Sequence, residues 1–190
     1  MVEIRFHGRG GQGTVLAAKI LAEAVLRFGQ AECLAMPEFG VERRGAPVTA
    51  YARVSKGKIR LRTRIYEPDV VVILDPTIGQ SAEIAKGLKP SGLVLINTEH
   101  SAQEAAAAWS EARVICVPAR AIALSLGLGS AASPIVNTAV CGALAAVTGL
   151  ADSAALEAAI RASVPEKPEQ NVEAARRAYE YCRETNHAAA

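Results

Sequence analysis

Hydrophobic and polar positions along this chain alternate with two periods, which predict strands and helices in turn. Residues 2–7 have the pattern of a short strand, and residues 13–28 that of an amphipathic helix ending at Gly29, a residue suited to a C-terminal cap. A second strand is predicted over residues 31–36. The helix places apolar residues on one face and charged residues on the other: Leu16, Ile20, Leu21, Ala24 and Val25 against Lys19, Glu23 and Arg27.

The middle of the chain interrupts this alternation. Residues 37–47 carry Pro and Gly near both ends and predict a loop. Residues 48–54 and 58–62 then have the composition of two strands around a Ser-Lys-Gly turn at 55–57. Strands joined by so short a turn pair with each other, so we expect an antiparallel hairpin here.

After residue 68 the strand–helix alternation resumes. The apolar run within residues 69–75 is typical of a parallel strand covered on both faces. Ser133 and Pro134 are residue types that begin helices, and they predict the start of an Ala-rich helix ending near residue 148. The remaining predicted elements are strands over 92–96 and 113–117 and helices near 79–88, 101–109, 119–126, 153–163 and 169–185.

This order of elements predicts a single α/β domain over residues 1–190. We expect a three-layer α/β/α sandwich built on a Rossmann-like, mostly parallel sheet with the antiparallel hairpin inserted into it. Ligands of such sheets bind at the carboxyl ends of the parallel strands, where the loop over residues 37–47 also emerges.

Composition narrows the function classes. Hydrophobic residues make up 51% of the chain but aromatic residues only 4%, so the core must consist mainly of Val, Ile, Leu and Ala. A net charge of +2 is too small to predict a nucleic-acid surface. No apolar run approaches the roughly 20 residues that span a bilayer, and no signal-peptide pattern is present. We therefore expect a cytoplasmic protein without membrane contacts.

The sequence predicts no metal site and no catalytic set. The four cysteines lie far apart without a Cys-x-x-Cys pair, in apolar surroundings typical of buried positions. The histidines are equally scattered, and we interpret the one that ends the first strand, His7, as structural. These residues are Cys33, Cys116, Cys141, Cys182, His7, His100 and His187.

A glycine-rich turn joins the first predicted strand to the first predicted helix. This glycine turn has the sequence Gly-Arg-Gly-Gly-Gln-Gly over residues 8–13. Glycines let the backbone fold tightly and approach a ligand, and the N-terminus of the following helix attracts anions. We predict anion binding by Gly10, Gly11, Gln12 and Gly13, although a strand-to-helix turn without a ligand has the same pattern.

The glycine spacing also fits a dinucleotide fingerprint, but the residues that follow argue against an NAD-dependent enzyme. The acidic residue that binds the ribose should end the second strand. Glu32 instead lies near the start of that strand, and Glu38 lies in the loop after it. A P-loop is disfavoured as well, because Thr14 follows Gly13 with no lysine between them.

Two segments together resemble the gamma subunit of 2-oxoacid:ferredoxin oxidoreductases. They are the glycine turn opening a helix, and residues 37–47, Pro-Glu-Phe-Gly-Val-Glu-Arg-Arg-Gly-Ala-Pro, leading into a strand. Residues 68–75, 97–98 and 134–138 are also similar to that family. The Glu-Arg-Arg-Gly-Ala-Pro form of the loop resembles the pyruvate type more closely than the 2-oxoglutarate type.

The resemblance implies a subunit of a larger enzyme. Such enzymes convert a 2-oxoacid and coenzyme A (CoA) into acyl-CoA and CO₂ and pass the electrons to ferredoxin. It implies alpha, beta and delta partner subunits, which carry thiamine diphosphate, Mg²⁺ and 4Fe–4S clusters. The gamma chain then contributes CoA binding and subunit contacts but no catalytic residue, and the isolated chain is expected to be inactive.

The resemblance also directs attention to the arginines of the loop. Arg43 and Arg44 are suited to binding CoA phosphates beside the glycine turn. Alternatively, they pair with Glu38 and Glu42, or with acidic groups of a neighbouring subunit. The candidates for subunit contacts are Glu38, Phe39, Glu42, Arg43 and Arg44.

Other functions stay open from the sequence alone. The chain could be a free-standing Rossmann-like module that binds CoA or a nucleotide, or a small NAD-dependent enzyme. Within the same family, a 2-oxoglutarate or indolepyruvate type is the alternative to the pyruvate type.

Overall fold

The computed structural model describes most of the chain: residues 1–29, 31–38, 45–78, 84, 86–106, 109 and 112–187, with the backbone alone for 186 and 187. Its strands are β1 (Val2–Arg9), β2 (Glu32–Pro37), β3 (Pro47–Ser55), β4 (Val70–Ile73), β5 (Leu93–Asn97), β6 (Arg113–Val117), β7 (Gly129–Ser130) and β8 (Ser133–Pro134). Its helices are α1 (Thr14–Phe28), α2 (Ala102–Ala106), α3 (Ala119–Ser125), α4 (Asn137–Thr148), α5 (Ser153–Ser163) and α6 (Pro168–His187).

The main sheet is mixed, with the strand order β2-β3-β1-β4-β5-β6. β1, β4, β5 and β6 run parallel to their neighbours in this series, and β3 lies antiparallel between β1 and β2. Every residue of β4 is buried, as the sequence pattern predicts for a strand covered on both faces. The α/β fold with a mostly parallel sheet is therefore confirmed.

Separate apolar clusters cover the two faces of the sheet, because side chains alternate along each strand. On one face, Ile4 and Phe6 pack with α1, α4, α5 and α6. On the other face, Ile73, Val94 and Trp109 form a smaller cluster that α2 borders. Elements on both faces give the three layers, and none of the described helices is long and apolar enough to cross a membrane.

The predicted hairpin of residues 48–54 and 58–62 is wrong in its second strand. Residues 58–62 form no strand, and β3 pairs instead with β2 and β1. The physical reason is the buried guanidinium of Arg53, whose Nη1 donates to the carbonyls of Leu61 at 3.3 Å and Thr63 at 2.7 Å. These carbonyls bond a side chain of the sheet rather than a neighbouring strand.

The predicted start of the Ala-rich helix is also wrong. Ser133 and Pro134 form β8, which pairs with β7, and α4 begins three residues later at Asn137. The N–H of Ile135 still donates to the carbonyl of Leu128, at 3.2 Å, so the ribbon continues beyond the proline. Most of the predicted helix near residues 79–88 lies outside the described residues, as do parts of the helix near 101–109.

Close contact between α4 and α6 depends on the absence of a side chain at Gly142. A Cβ there would collide with the backbone carbonyl of Ala175. Gly142→Ala should therefore lower the free energy of unfolding by about 1–3 kcal/mol, as overpacking does, even though alanine favours a helix. Urea denaturation measures the change, and Gly57→Ala, whose Cβ would meet nothing within 4 Å, is the control. A Gly142→Ala variant as stable as the wild type would contradict this close packing.

Candidate anion-binding site at the glycine turn

The glycine turn connects β1 to α1 through a left-handed backbone. Gly11 and Gly13 have φ angles of 96° and 75°, which favour glycine. Gly13 is the N-cap of α1 and offers no side-chain cap. A Cβ on Gly13 would collide with Asn137 Nδ2, so the glycine also permits the close approach of α4. The predicted strand–turn–helix geometry is present.

Several backbone N–H groups at this corner are left for a ligand. Those of Gly10 and Gln12 are used within the protein, donating to Ala46 O at 2.9 Å and to Arg9 O at 3.0 Å. The first N–H groups of a helix project beyond its N-terminus, where the helix dipole is positive. Among the described residues, no acceptor bonds the N–H groups of Gly11, Gly13, Thr14, Val15 and Leu16.

Two buried side chains also bring unused polar atoms to this corner. Thr14 is 2% exposed, and its buried Oγ1 has no hydrogen-bond partner in the described part of the chain. Asn137 is equally buried; its Oδ1 accepts from Thr138 N at 2.9 Å, while its Nδ2 donates to no described group. An unpaired buried polar group costs about 1–3 kcal/mol, so Thr14 Oγ1 indicates a hydrogen bond that a water or a ligand would supply.

An open cavity of about 750 Å³ lies over the glycine turn and the first residues of α1. Lys19, one turn into α1, adds an exposed ammonium group to its wall. The sequence assigns Lys19 only to the polar face of a helix. Asn137 lies in the segment 134–138 that resembles the family, but its distance in sequence from the glycine turn gives no sign that the two meet. The cavity lining is Arg9, Gly10, Gly11, Gly13, Thr14, Val15, Leu16, Lys19, Pro37 and Val48.

Asp75, just beyond β4, holds the glycine turn in place. Its Oδ2 accepts from Gln12 Nε2 at 2.9 Å and from Arg9 Nε at 3.1 Å, and its Oδ1 accepts from Thr77 Oγ1 at 2.6 Å. Burial by itself would raise the pKa of Asp75, but the hydrogen bonds from Thr77 and Gln12 and the charge of Arg9 outweigh it and lower the pKa.

Gln12 is a predicted anion contact, yet its side chain holds the turn together. Besides the bond to Asp75, its Oε1 accepts from Arg9 N at 2.8 Å, and its own N–H is also bonded. Gly10 likewise uses its N–H internally. Of the four predicted residues, Gly11 and Gly13 therefore present free donors, whereas Gly10 and Gln12 shape the turn.

The predicted loop candidates Phe39, Glu42, Arg43 and Arg44 lie outside the described residues. Their surroundings are partly described. Gly45, which directly follows Arg44, donates its N–H to Gly10 O at 3.0 Å, so this end of the loop is joined to the glycine turn.

Glu38, at the other end of the loop, has partners from β3 and beyond. Its Oε1 pairs with Arg64 at 2.9 Å, and its Oε2 accepts from Tyr51 OH at 2.7 Å. Arg43 and Arg44 are alternative partners of Glu38 from the sequence, but these contacts already engage both carboxylate oxygens.

His7 lies on the opposite side of β1 from Ile4 and Phe6 and accepts a hydrogen bond from Arg5 of the same strand. Arg5 Nε donates to His7 Nε2 at 3.0 Å, which requires an unprotonated nitrogen there. Burial, and secondarily the charge of Arg5, lowers the pKa of His7 to about 4. This arrangement supports the structural interpretation of His7.

The four cysteines lie apart from one another, within or against the apolar clusters of the core. Cys116, Cys141 and Cys182 are buried, Cys33 is half-buried, and all four are free thiols. Burial raises the pKa of Cys116 to about 11 and that of Cys141 to about 12, so neither thiol forms a thiolate ligand readily. Within the described residues, no group of three or more His, Cys, Asp or Glu side chains is placed to bind a metal ion.

Residues 3–181 match the family model described as pyruvate ferredoxin/flavodoxin oxidoreductase. The chain belongs to this family. Its resemblance to the gamma subunits, predicted from the glycine turn and the loop, is confirmed by similar proteins. Among them is the common subunit gamma of the pyruvate/ketoisovalerate oxidoreductases of Pyrococcus furiosus, 49% identical over 184 residues, which are 95% of this chain and 96% of that protein.

Two further relatives of the oxidoreductase family extend this likeness. Pyruvate synthase subunit PorC of Methanothermobacter marburgensis is 46% identical over 181 residues, covering 95% of this chain and 97% of that subunit. The crystal structure of pyruvate oxidoreductase subunit PORC from Thermotoga maritima superposes with a TM-score of 0.79 at 35% identity, covering 94% and 95% of the two chains. The similarity to these subunits therefore extends over nearly the whole length of this chain.

The low pKa of His7 makes folding depend on pH. Because the folded pKa is about 4 and the unfolded value is 6.5, the full contribution is present above pH 6.5 and is lost as the pH falls towards 4. Between pH 7 and pH 5 this group alone should lower the free energy of unfolding by about 2 kcal/mol. Denaturation at both pH values should show a smaller loss in His7→Gln than in the wild type.

His100→Gln is the matched control, because the side chain of His100 is 78% exposed. It should leave the pH dependence unchanged. An equal loss of stability in His7→Gln and the wild type would show that His7 is not held neutral by its burial and by Arg5.

Proposed function

We propose that this chain is the gamma subunit of a multi-subunit 2-oxoacid:ferredoxin oxidoreductase acting on pyruvate, and that its cavity binds the phosphates of CoA. The enzyme converts pyruvate, CoA and two oxidised ferredoxins into acetyl-CoA, CO₂, a proton and two reduced ferredoxins. Membership of the family and the gamma-subunit relatives support the subunit role. The observation that carries the binding role is the buried, unpartnered Thr14 Oγ1 beside the free N–H groups of α1.

The cavity has the chemistry that a polyphosphate needs. The dipole of a 15-residue helix and its free N–H groups favour negative charge at the turn. Lys19 adds a cation to the wall, whereas the charge of Arg9 is paired with Asp75. The apolar side chains of Val15 and Leu16 offer contact area to uncharged parts of the ligand. The cavity is also larger than a single phosphate, in keeping with an extended ligand such as CoA.

In this proposal the chain binds and positions CoA and leaves the redox chemistry to its partners. Thiamine diphosphate, Mg²⁺ and 4Fe–4S clusters belong to the alpha, beta and delta subunits, with ferredoxin as the electron acceptor and the cytoplasm as the compartment. The thiols of this chain are dispersed, three of them are buried, and they do not fit a cluster site. The residues of this chain supply hydrogen-bond donors to the phosphate oxygens, and Asp75 holds the turn that carries some of these donors.

The loop over residues 39–44 completes the site in the same proposal. Gly45 is bonded to Gly10, so Arg43 and Arg44 lie within two residues of a backbone contact with the turn. Guanidinium groups bind phosphates with two parallel hydrogen bonds. We assign these arginines to CoA phosphates or to a subunit contact beside them, together with Glu38, Phe39 and Glu42.

Thr14→Val tests the site, because valine has the shape of threonine without the hydroxyl. In the assembled enzyme it should raise the KM for CoA about five- to tenfold, the effect of losing one hydrogen bond, and leave the KM for pyruvate unchanged. In the free chain it should not lower stability, because Oγ1 has no partner to lose. Steady-state kinetics and urea denaturation provide the two readouts.

Thr148→Val is the control for Thr14→Val. Thr148 donates to Leu144 O at 2.6 Å within α4, away from the turn, so its loss should affect stability rather than CoA. An unchanged KM for CoA in Thr14→Val would place the phosphates elsewhere.

The purified chain alone should not oxidise 2-oxoacids. Incubation with pyruvate, CoA and a viologen dye should give no dye reduction, because the thiamine site and the clusters belong to partner subunits. Addition of the partner subunits should restore turnover. Dye reduction by the chain alone would contradict the subunit role.

A further inference from the structure

A row of cations follows β3 and is unlike the rest of the surface. Its members, which we call the basic ridge, are Lys56, Lys58, Arg60, Arg62 and Arg64. Residues 55–66 contain no acidic residue, and since the whole chain has a net charge of only +2, the remainder of the chain is net negative. All members of the ridge are exposed. The basic residues stand at every second position, so the segment contains no run of consecutive basic residues.

Two buried arginines of the sheet hold the chain that carries the ridge. Arg53, with its side chain 3% exposed, pairs with Glu3 at 2.8 Å and donates to the carbonyls of residues 61, 63 and 64. Arg5 donates to the carbonyls of Ile65, at 3.4 Å, and of Ile84 and Lys86, at 2.8 Å each. Buried guanidinium groups are tolerated only when their donors are satisfied. These bonds therefore hold the backbone over residues 61–65, at the end of the ridge that carries Arg62 and Arg64.

Acidic groups of the same chain neutralise only one end of the ridge. Arg64 pairs with Glu38 at 2.9 Å. The remaining four cations form no ion pair with any described residue. A row of exposed, unpaired cations is suited to a partner surface that carries carboxylates.

Large apolar side chains are exposed along the same segment. Leu61 is 53% exposed and Tyr66 is 72% exposed, the highest value among the exposed large hydrophobic side chains of the described residues. Arginine, tyrosine and aliphatic side chains together are typical of the centre of protein–protein interfaces. The ridge therefore combines charge with contact area, which favours a protein partner.

We propose that the basic ridge docks onto an acidic surface of a neighbouring subunit of the same oxidoreductase. The proposal rests on the subunit role proposed above. It is also continuous with the candidate interface, because Arg64 contacts Glu38, where the loop of interface candidates begins. The occupant is thus a subunit with a row of Asp and Glu side chains around an apolar patch.

Charge reversal in the assembled enzyme tests this docking. Arg60→Glu combined with Arg62→Glu should weaken association of this chain with its partner subunits at least tenfold at physiological ionic strength, measured by size-exclusion chromatography and light scattering. Raising the salt concentration should weaken wild-type assembly and leave the variant less affected. Circular dichroism and an unchanged thermal midpoint of the free chain show that the variant folds.

A matched variant keeps the result specific to the ridge. Arg177→Glu with Arg183→Glu makes the same charge change at exposed positions of α6, which packs on the other face of the sheet. It should assemble as the wild type does. Equal weakening by both variants, or none by the ridge variant, would overturn the proposal.

Zero-length carbodiimide cross-linking identifies the occupant. Lys56 and Lys58 should form amide bonds with carboxylates of a partner subunit, found by mass spectrometry of the assembled enzyme. Cross-links to ferredoxin alone would overturn the proposal while leaving the subunit role intact. A chain that associates with no thiamine- or cluster-bearing subunit at all would overturn the proposed function itself.

Discussion

The bonds of Asp75 to the glycine turn are the constraint on which the site depends. One carboxylate bonds Gln12, Arg9 and Thr77, and so joins the end of β4 to the turn that leaves β1. With the turn fixed, α1 begins at Thr14 with its first N–H groups facing outwards. The positive end of the α1 dipole therefore faces the cavity over the turn, and no cluster of exposed cations is needed there.

The remainder of the fold brings two distant segments to this corner. Asn137 begins α4, and the left-handed glycine at position 13 lets it approach the turn. The small residues of α4 and α6 allow those helices to pack closely behind it, because a side chain at Gly142 would meet backbone. Close helix packing and the ligand corner are consequences of the same preference for small side chains.

Strong periodicity made much of the fold predictable from sequence. The amphipathic α1 and the buried β4 follow directly from their apolar patterns, and so does the position of the glycine turn between strand and helix. The prediction of a strand over residues 58–62 is wrong because a strand and an extended segment held by side-chain bonds show the same alternation of apolar and polar residues. Which of the two forms depends on Arg53, whose burial only the folded sheet decides.

Some residues of the candidate site could be predicted from the sequence, and others depend on contacts between distant segments. The glycines could be found from their spacing, but the role of Gln12 depends on Asp75, 63 residues further along the chain. Lys19 carries no local signal, because polar positions on helices are common. Asn137 lies in a segment that resembles the family, but nothing near it in the sequence indicates that it approaches the glycine turn. Long-range contacts, rather than residue type, decide which polar atoms remain free for a ligand.

Phosphate binding at the start of α1 is the central claim. A structure of the assembled enzyme with CoA, determined by crystallography or electron cryomicroscopy, tests it most directly. We expect phosphate oxygens of CoA within hydrogen-bond distance of the N–H groups of Gly13 or Thr14 and of Thr14 Oγ1. CoA bound with its phosphates on another subunit, and this corner of the chain filled by water alone, would contradict it.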